Sequence, residues 1–455
     1  MGLMNRVSDQ QDNWHAEIDD PTPNQAMRTM RHPKWPRALS RSDLFVRVLG
    51  ASLSLAATII LISSCGAGDQ QAGGIMIYVE TGQGERGRRR NDDLRAIKSM
   101  VDRVRGEFGV SNKQVDVQVN YLEGDRIVDE VGYRHSLGLG PDIIISSMRN
   151  AIDLKRKGYT RSFETDKTEF DEINPVLRPD QDQIFILPAA VFPHVACFNS
   201  DEIDSPPSSR AELLNQSASG TRVGLTFETH NLFWLGAKEE SRMIFRNLIQ
   251  SPDRLERKST EVEADLSQLS QFLESIRGIR LQKNITFYQN TRELDQAFQS
   301  GEVDWIPCRG PSLRSHSERL NDKLKISALP GNDPNSPAIS MASQKVWSLG
   351  AHSNRRQRKS AERFVSLATS RAIQKDILLE VDSWFPINER VIIPTEQRRY
   401  YGPQQRSLER AFLIESTTQG AASEKADRIS QIIQDVVYGF ITPMSGAQKL
   451  LEIHD

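Results

Sequence analysis

Pro141-Asp142-Ile143-Ile144-Ile145-Ser146, entered from Gly140, is a short apolar run with the length and borders of a buried strand. Ala151–Lys157 follows as a helix that stops at Gly158. The same alternation extends in both directions. Upstream, Ile75–Glu80 (IMIYVE) is a second buried strand. Asp92–Gly109 carries Leu94, Ile97, Met100, Val101, Val104 and Phe108 on one helical face. Val115, Val117, Val119 and Tyr121 then alternate at strand spacing. Downstream, Asp265–Arg277 places Leu266, Leu269, Phe272, Leu273 and Ile276 on one face. Asn284–Gln289 is a strand, Arg292–Gln299 a helix and Val303–Cys308 a strand. Glu362–Thr369 and Ala372–Leu379 are helices, and Glu424–Ile453 is helical with a break near Thr442-Pro443. This order of elements predicts α/β layers around a largely parallel sheet.

Composition narrows the function. The chain has 455 residues, of which 38% are hydrophobic and 26% charged, so it can bury real cores and is not disordered throughout. Its formal net charge of −2 argues against a dedicated nucleic-acid binder. Three cysteines exclude a disulfide scaffold or a zinc-finger array. A single candidate apolar span excludes a multi-span permease.

The N-terminus reads as an address. Residues 1–47 are polar, with Pro21, Pro23, Pro33 and Pro36, and read as disordered. Arg37, Arg41 and Arg47 precede an uncharged run of 17 residues, Val48–Ser64, which suits a signal-peptide core better than a spanning helix. The run ends Leu61-Ile62-Ser63-Ser64-Cys65-Gly66, which resembles a bacterial lipobox. The resemblance implies cleavage before Cys65 and lipidation of its thiol. A retained transmembrane anchor is the alternative. The polar head is long for such a signal, and Met27 or Met30 would make a more ordinary start. Residues 65–74 form a small, polar tether.

Gly82-Gln83-Gly84-Glu85-Arg86-Gly87 is a literal GxGxxG after a predicted strand and before a predicted helix. The acidic residue expected about 20 residues on is missing, since Glu123 lies too far along. Arg88, Arg89, Arg90 and Asn91 also intervene, and an exported protein has no nicotinamide pool. The stretch reads instead as a glycine-rich loop at the carboxyl end of a strand, where open α/β sheets bind ligands. No cofactor is expected.

Several segments, in order, resemble the maltose-binding-protein-like extracellular solute-binding proteins (family 1) of ABC importers. Pro141–Ser146 with Lys157-Gly158-Tyr159 is similar to that family's "PDv…l…G" unit. Leu187–Asp201 (LPAAVFPHVACFNSD) resembles its crossing strand with a "YNkd"-like end. Pro206–Leu214 (PPSSRAELL) resembles "P.TWdELl", with Ser-Arg in place of Thr-Trp. Glu293–Ile306 is a looser match to "f..G.aAm". Lys345–Leu367 resembles a family helix, and Trp384-Phe385-Pro386-Ile387-Asn388 resembles the "g..Pvn" turn.

The resemblance implies a two-lobed periplasmic-binding-protein-like fold of type II. Each lobe is a mostly parallel sheet flanked by helices, and the ligand cleft lies at the hinge. The expected boundaries are 75–190 with 309–345 for the first lobe, and 191–308 with 346–455 for the second. It also implies the cleft residues: Glu80, Thr81 and Gln83 after the first strand; Ser147 and Arg149 after the PDIII strand; Phe192 on the crossing strand; Glu228, Asn231 and Trp234 from the second lobe; then Arg309 and Trp384. Carboxylates beside aromatic faces suit sugars and polyols. Each assignment has a structural competitor. Trp234, Trp305, Trp384 and Phe192 can be core, Glu228 a helix cap, Arg309 an internal ion-pair partner, and Arg88–Arg90 a solvated face. Aromatic residues make up only 7% of the chain, which points to a short glycoside or compatible solute rather than a long oligosaccharide.

Other chemistries find little support. The eight histidines show no metal-ligand spacing, and the chain after residue 65 has no GxSxG elbow. Glu239-Glu240 is an acidic pair, but nothing places it as a glycosidase dyad. Tyr400-Tyr401 resembles the adjacent tyrosines of ferric-iron-binding proteins, but lies beyond the turn at 386–388. No metal site is expected. Cys197 and Cys308 fall on predicted crossing strands, where a disulfide would restrain the hinge; free buried thiols are the expectation. The function expected is a non-enzymatic, monomeric, lipid-anchored binding protein on the outer face of a bacterial membrane. It would close on a small sugar, glycoside or polyol-like solute and deliver it to the permease, with no nucleic-acid partner. An exported carbohydrate-active enzyme, or a sensor or adaptor that kept the fold, is the alternative.

Overall fold

The computed structural model describes residues 74–81, 89–111, 115–124, 126–164, 170–177, 184–236, 259–381, 384–413 and 421–453. Residues 1–73, with Cys65, and the glycine-rich loop with Gln83 lie outside the described residues.

Two sheets share one strand. The first sheet runs β2 (Val117–Glu123), β1 (Ile75–Thr81), β3 (Ile143–Ser147), β10 (Met341–Gly350) and then the first half of β5 (Leu187–Asn199). Here β1 is parallel to both β2 and β3, whereas β10 is antiparallel to β3 and to β5. The second half of β5 pairs with β9 (Leu324–Ser327) and antiparallel with β8 (Trp305–Arg309). Beyond β8 lie β6 (Val223–Thr226) and β7 (Ile285–Tyr288), both parallel to it. Two short strands, β4 (Thr160–Arg161) and β11 (Phe412–Leu413), add to β10.

The continuous apolar strand runs follow from burial on both faces of each sheet. Ile77, Val79, Ile143 and Ile145 enter a large core with Ile97, Met100, Val104 and Phe108 of α1 (Arg89–Ser111). Tyr78 and Ile144 turn the other way, onto Ile127, Val128 and Val131 of α2 (Ile127–Ser136) and Leu154 of α3 (Met148–Arg156). The second sheet behaves alike. Ala196, Phe198 and Trp305 face a core with Leu269, Phe272 and Ile276 of α6 (Ser259–Arg280), while Val195, Cys197, Ile306 and Cys308 face Leu294 and Phe298 of α7 (Thr291–Ser300). Helix α4 (Arg210–Ala218) lies between β5 and β6, and the one-turn α5 (Thr229–Leu232) lies between β6 and α6. The chain continues through α8 (Gly310–Leu320), α9 (Arg355–Thr369), α10 (Arg371–Glu380), α11 (Arg398–Leu408), α12 (Ala421–Val437) and α13 (Pro443–Glu452).

Local chemistry fixes the helix ends. Ser147, Ser209, Asn290 and Thr442 each cap a helix by accepting from a first-turn N–H, and Asn354 forms a capping box with Gln357. Gly301 ends α7 at φ 76°, a left-handed conformation that favours glycine.

Three expectations change here. Residues 313–338, expected with the first lobe, pack into the second through Leu313, Leu324, Leu329 and Ala338. Lys345, read as part of a helical segment, lies in β10; the helix begins at Arg355, after the Asn354 cap. Residues 361–391, expected with the second lobe, pack into the first core through Phe364, Ile377 and Trp384; α11 touches both lobes, with Leu408 in the first core and Tyr400 against the second. The second lobe's C-terminal share begins with Phe412 and continues in Ile429, Ile433 and Leu450.

Candidate functional site

Strand direction locates the cleft. Lys345 of β10 pairs with Ser147 at the end of β3 and with Ala190 of β5, so β3 and β5 run the same way. After Pro193, β5 leaves the first sheet, and His194 begins its pairing with Arg309, the last residue of β8. Because β6 and β7 are parallel to β8, both sheets point the carboxyl ends of their parallel strands at the Pro193–His194 crossing. That is where open α/β sheets place their ligands.

On the first lobe, Glu80, next to the last residue of β1, is 9% exposed. Its Oε2 accepts from the Ser147 N–H, and its Oε1 lies 3.1 Å from the Lys345 ammonium. Gly124 passes so close that a Cβ there would meet Glu80 Oε1 at 3.0 Å. Thr81 is buried and donates its hydroxyl to the Leu122 carbonyl at 3.1 Å. Ser147 caps α3, and Arg149 follows in its first turn, half-buried. Burial pushes the Arg149 guanidinium below its ordinary range, and the nearby Glu80 charge partly offsets this. Glu80, Ser147 and Arg149, expected together, are together. Lys345 joins them unforeseen, because the polar residues of β10 mask its strand pattern.

The second-lobe residues divide differently. Glu228 holds the start of α7: its Oε2 accepts from the Thr291 N–H (3.1 Å), the Thr291 hydroxyl and the Asn231 amide (3.2 Å). Asn231 is 1% exposed and also donates to Thr226 Oγ1 and Thr291 Oγ1. Both residues are thus committed to joining β6 to α7, the structural role named beside the functional one for Glu228. Trp234 is buried in the second core against Trp305, with ring centroids 5.7 Å apart. Trp384 is 2% exposed in the first core and donates its indole N–H to Gln374 Oε1 at 3.3 Å. Neither tryptophan presents a face to the cleft. Phe192 sits on β5 opposite Ser343, largely within the first core. Arg309 ends β8 at the crossing.

Cys197 and Cys308 are bonded to each other, which corrects the expectation of free thiols. They lie on neighbouring antiparallel strands and face the same core, with Cα atoms 5.8 Å apart. The bridge lies within the second sheet and does not span the lobes. At the opposite end of the first sheet, a cavity of about 480 Å³ is lined by Met76, Gln118, Arg134, Asp142 and His352. Tyr400 is buried against α7 and the β5–β8 strands, with the Arg399 guanidinium over its ring.

These two lobes, joined by a shared strand with a cleft at the crossing, define the binding-protein class of α/β folds. Residues 106–396 match the family model described as bacterial extracellular solute-binding protein, and the chain belongs to that family. A cyclo/maltodextrin-binding protein complexed with maltotetraose superposes with a TM-score of 0.65 at 14% identity, covering 83% of this chain and 96% of that one. An extracellular solute-binding protein from Staphylococcus aureus in complex with maltose gives 0.62 at 13%, covering 85% and 97%. The maltose/maltodextrin-binding domain from Bdellovibrio bacteriovorus bound to maltotriose gives 0.59 at 15%, covering 84% and 98%. At these identities the likeness establishes the fold. No curated protein sequence matches the chain.

Proposed function

We propose that the protein is the solute-binding lipoprotein of an ABC importer, anchored through Cys65 outside the cytoplasm. It captures a small sugar-type solute by closing its lobes about the Pro193–His194 crossing and passes the loaded form to a permease. The observation that carries this reading is the convergence of both sheets' strand ends on one crossing strand, in a chain of the solute-binding family. A solute that touches both lobes favours the closed arrangement by its differential contacts. The similar folds that hold maltose, maltotriose and maltotetraose support a sugar-type ligand. The Cys197–Cys308 bridge supports an oxidising compartment.

Two measurements test the proposal. Small-angle scattering of the full chain in detergent, titrated with a sugar and sugar-acid library, should show contraction on binding, and the recovered solute should be chemically unchanged. Turnover of a bound solute would replace this reading with the enzyme one. Metabolic labelling with a palmitate analogue should mark the wild-type chain and not Cys65→Ser.

A further inference from the structure

We propose that the cleft selects a solute bearing a carboxylate, a small sugar acid rather than a neutral glycan; the inference rests on the solute-binding reading above.

The first observation is charge. At the cleft end of the first sheet, the described residues place two cations, Arg149 and Lys345, beside Glu80, with a second carboxylate, Glu123, itself engaged, at the end of β2. Both Glu80 oxygens are engaged, one by the Ser147 N–H and one by Lys345. Glu80 therefore anchors the group, pairs with Lys345 and lends part of its charge to Arg149. Arg149 remains. Its guanidinium is half-buried and, among the described residues, makes no hydrogen bond or ion pair of its own. A half-buried guanidinium with no hydrogen bond among the described residues keeps its planar fork available, and that fork matches a carboxylate through two parallel N–H···O bonds. The second lobe adds Arg309 at the cleft end of β8. Its carboxylate on that side, Glu228, is occupied at the start of α7.

The second observation concerns aromatic faces. Neutral sugars are gripped largely by stacking of their C–H faces on aromatic rings. Here Trp234, Trp305, Trp347 and Trp384 are all at most 3% exposed, and Phe192 and Phe227 are buried as well. Segments outside the described residues after residue 74 contain no tryptophan or tyrosine. Tyr288, which ends β7, is half-buried with its hydroxyl donating to Glu302. With these tryptophans buried, recognition by the described residues falls largely to polar groups, and Arg149 is a cation among them with no hydrogen bond of its own.

The test is calorimetry and thermal shift on the full chain in detergent, with glucose, glucuronate, gluconate, glucose 6-phosphate and maltotetraose as probes. A carboxylate probe should bind at least about tenfold tighter than its neutral counterpart. Its affinity should fall with added salt. Arg149→Ala should abolish the acid preference while the unliganded melting temperature stays within experimental error, and Arg149→Lys should restore part of it. Neutral sugars binding as tightly as their acids, or an acid preference that survives Arg149→Ala, would overturn the inference and leave the solute-binding reading intact. A preference for the phosphate over both carboxylates would overturn the carboxylate assignment. Binding of none of the five would count against both.

Discussion

Trp384 shows how a residue's type and its neighbours can mislead. Its turn matched a binding-protein segment, yet its ring is packed in the first core with its N–H on Gln374. Trp384→Ala should therefore cost about 3–5 kcal/mol of stability, read by urea denaturation, because truncation removes apolar contacts and leaves a cavity. Glu80, Ser147 and Arg149 were legible because strand period and helix start place them at strand ends. Lys345 was not, since Ser343, Gln344 and Ser348 mask the apolar signal of a central strand. A second residue-scale prediction concerns His135 and His352, whose ring centroids are 4.2 Å apart. Burial, and then the charge of His352, hold His135 below the ordinary histidine range. A group depressed in the folded state gives stability that is present above its unfolded value, about 6.5, and lost as pH falls through the folded one. Denaturation midpoints from pH 8 to pH 5 should thus drop further for the wild type than for His352→Gln.

Among the elements, β5 carries the most weight. Its first half completes one sheet, its second half opens the other, and Cys197 ties that second half to β8. The bridge closes a loop with a sequence separation of 111. Chain-entropy arguments put such a closure at about 4–5 kcal/mol. The double variant Cys197→Ser, Cys308→Ser should lose stability of that order, measured by denaturant midpoint under non-reducing conditions. The helices were legible from their apolar period and caps: α7 was expected over 292–299 and spans Thr291–Ser300. The pairing of β10 was not, because an antiparallel strand inserted between β3 and β5 comes from far along the chain. Its fit depends on Gly350, where a Cβ would collide with the Pro141 carbonyl.

At the scale of the whole molecule, α/β alternation and the order of segments were enough to indicate two lobes. How the C-terminal third is shared between them was not legible. Which core a helix joins depends on chain path, and α9 and α10 have apolar faces that would suit either lobe. They return to the first core, while α12 and α13 cover the second. Since the disulfide lies within one sheet, the proposed closure of the lobes would not strain it. Ligand-induced contraction in scattering should therefore be the same for the oxidised protein and for the double cysteine variant, provided both remain folded.

The buried indoles also bear on how this protein is best observed. Trp347 and Trp384 lie in one core, Trp234 and Trp305 in the other. Their emission should be blue-shifted and nearly indifferent to occupancy, so a quenching titration would return a silent trace even for a tight binder. The same placement makes them paired optical reporters of melting: single Trp→Phe replacements would assign each half its own unfolding signal.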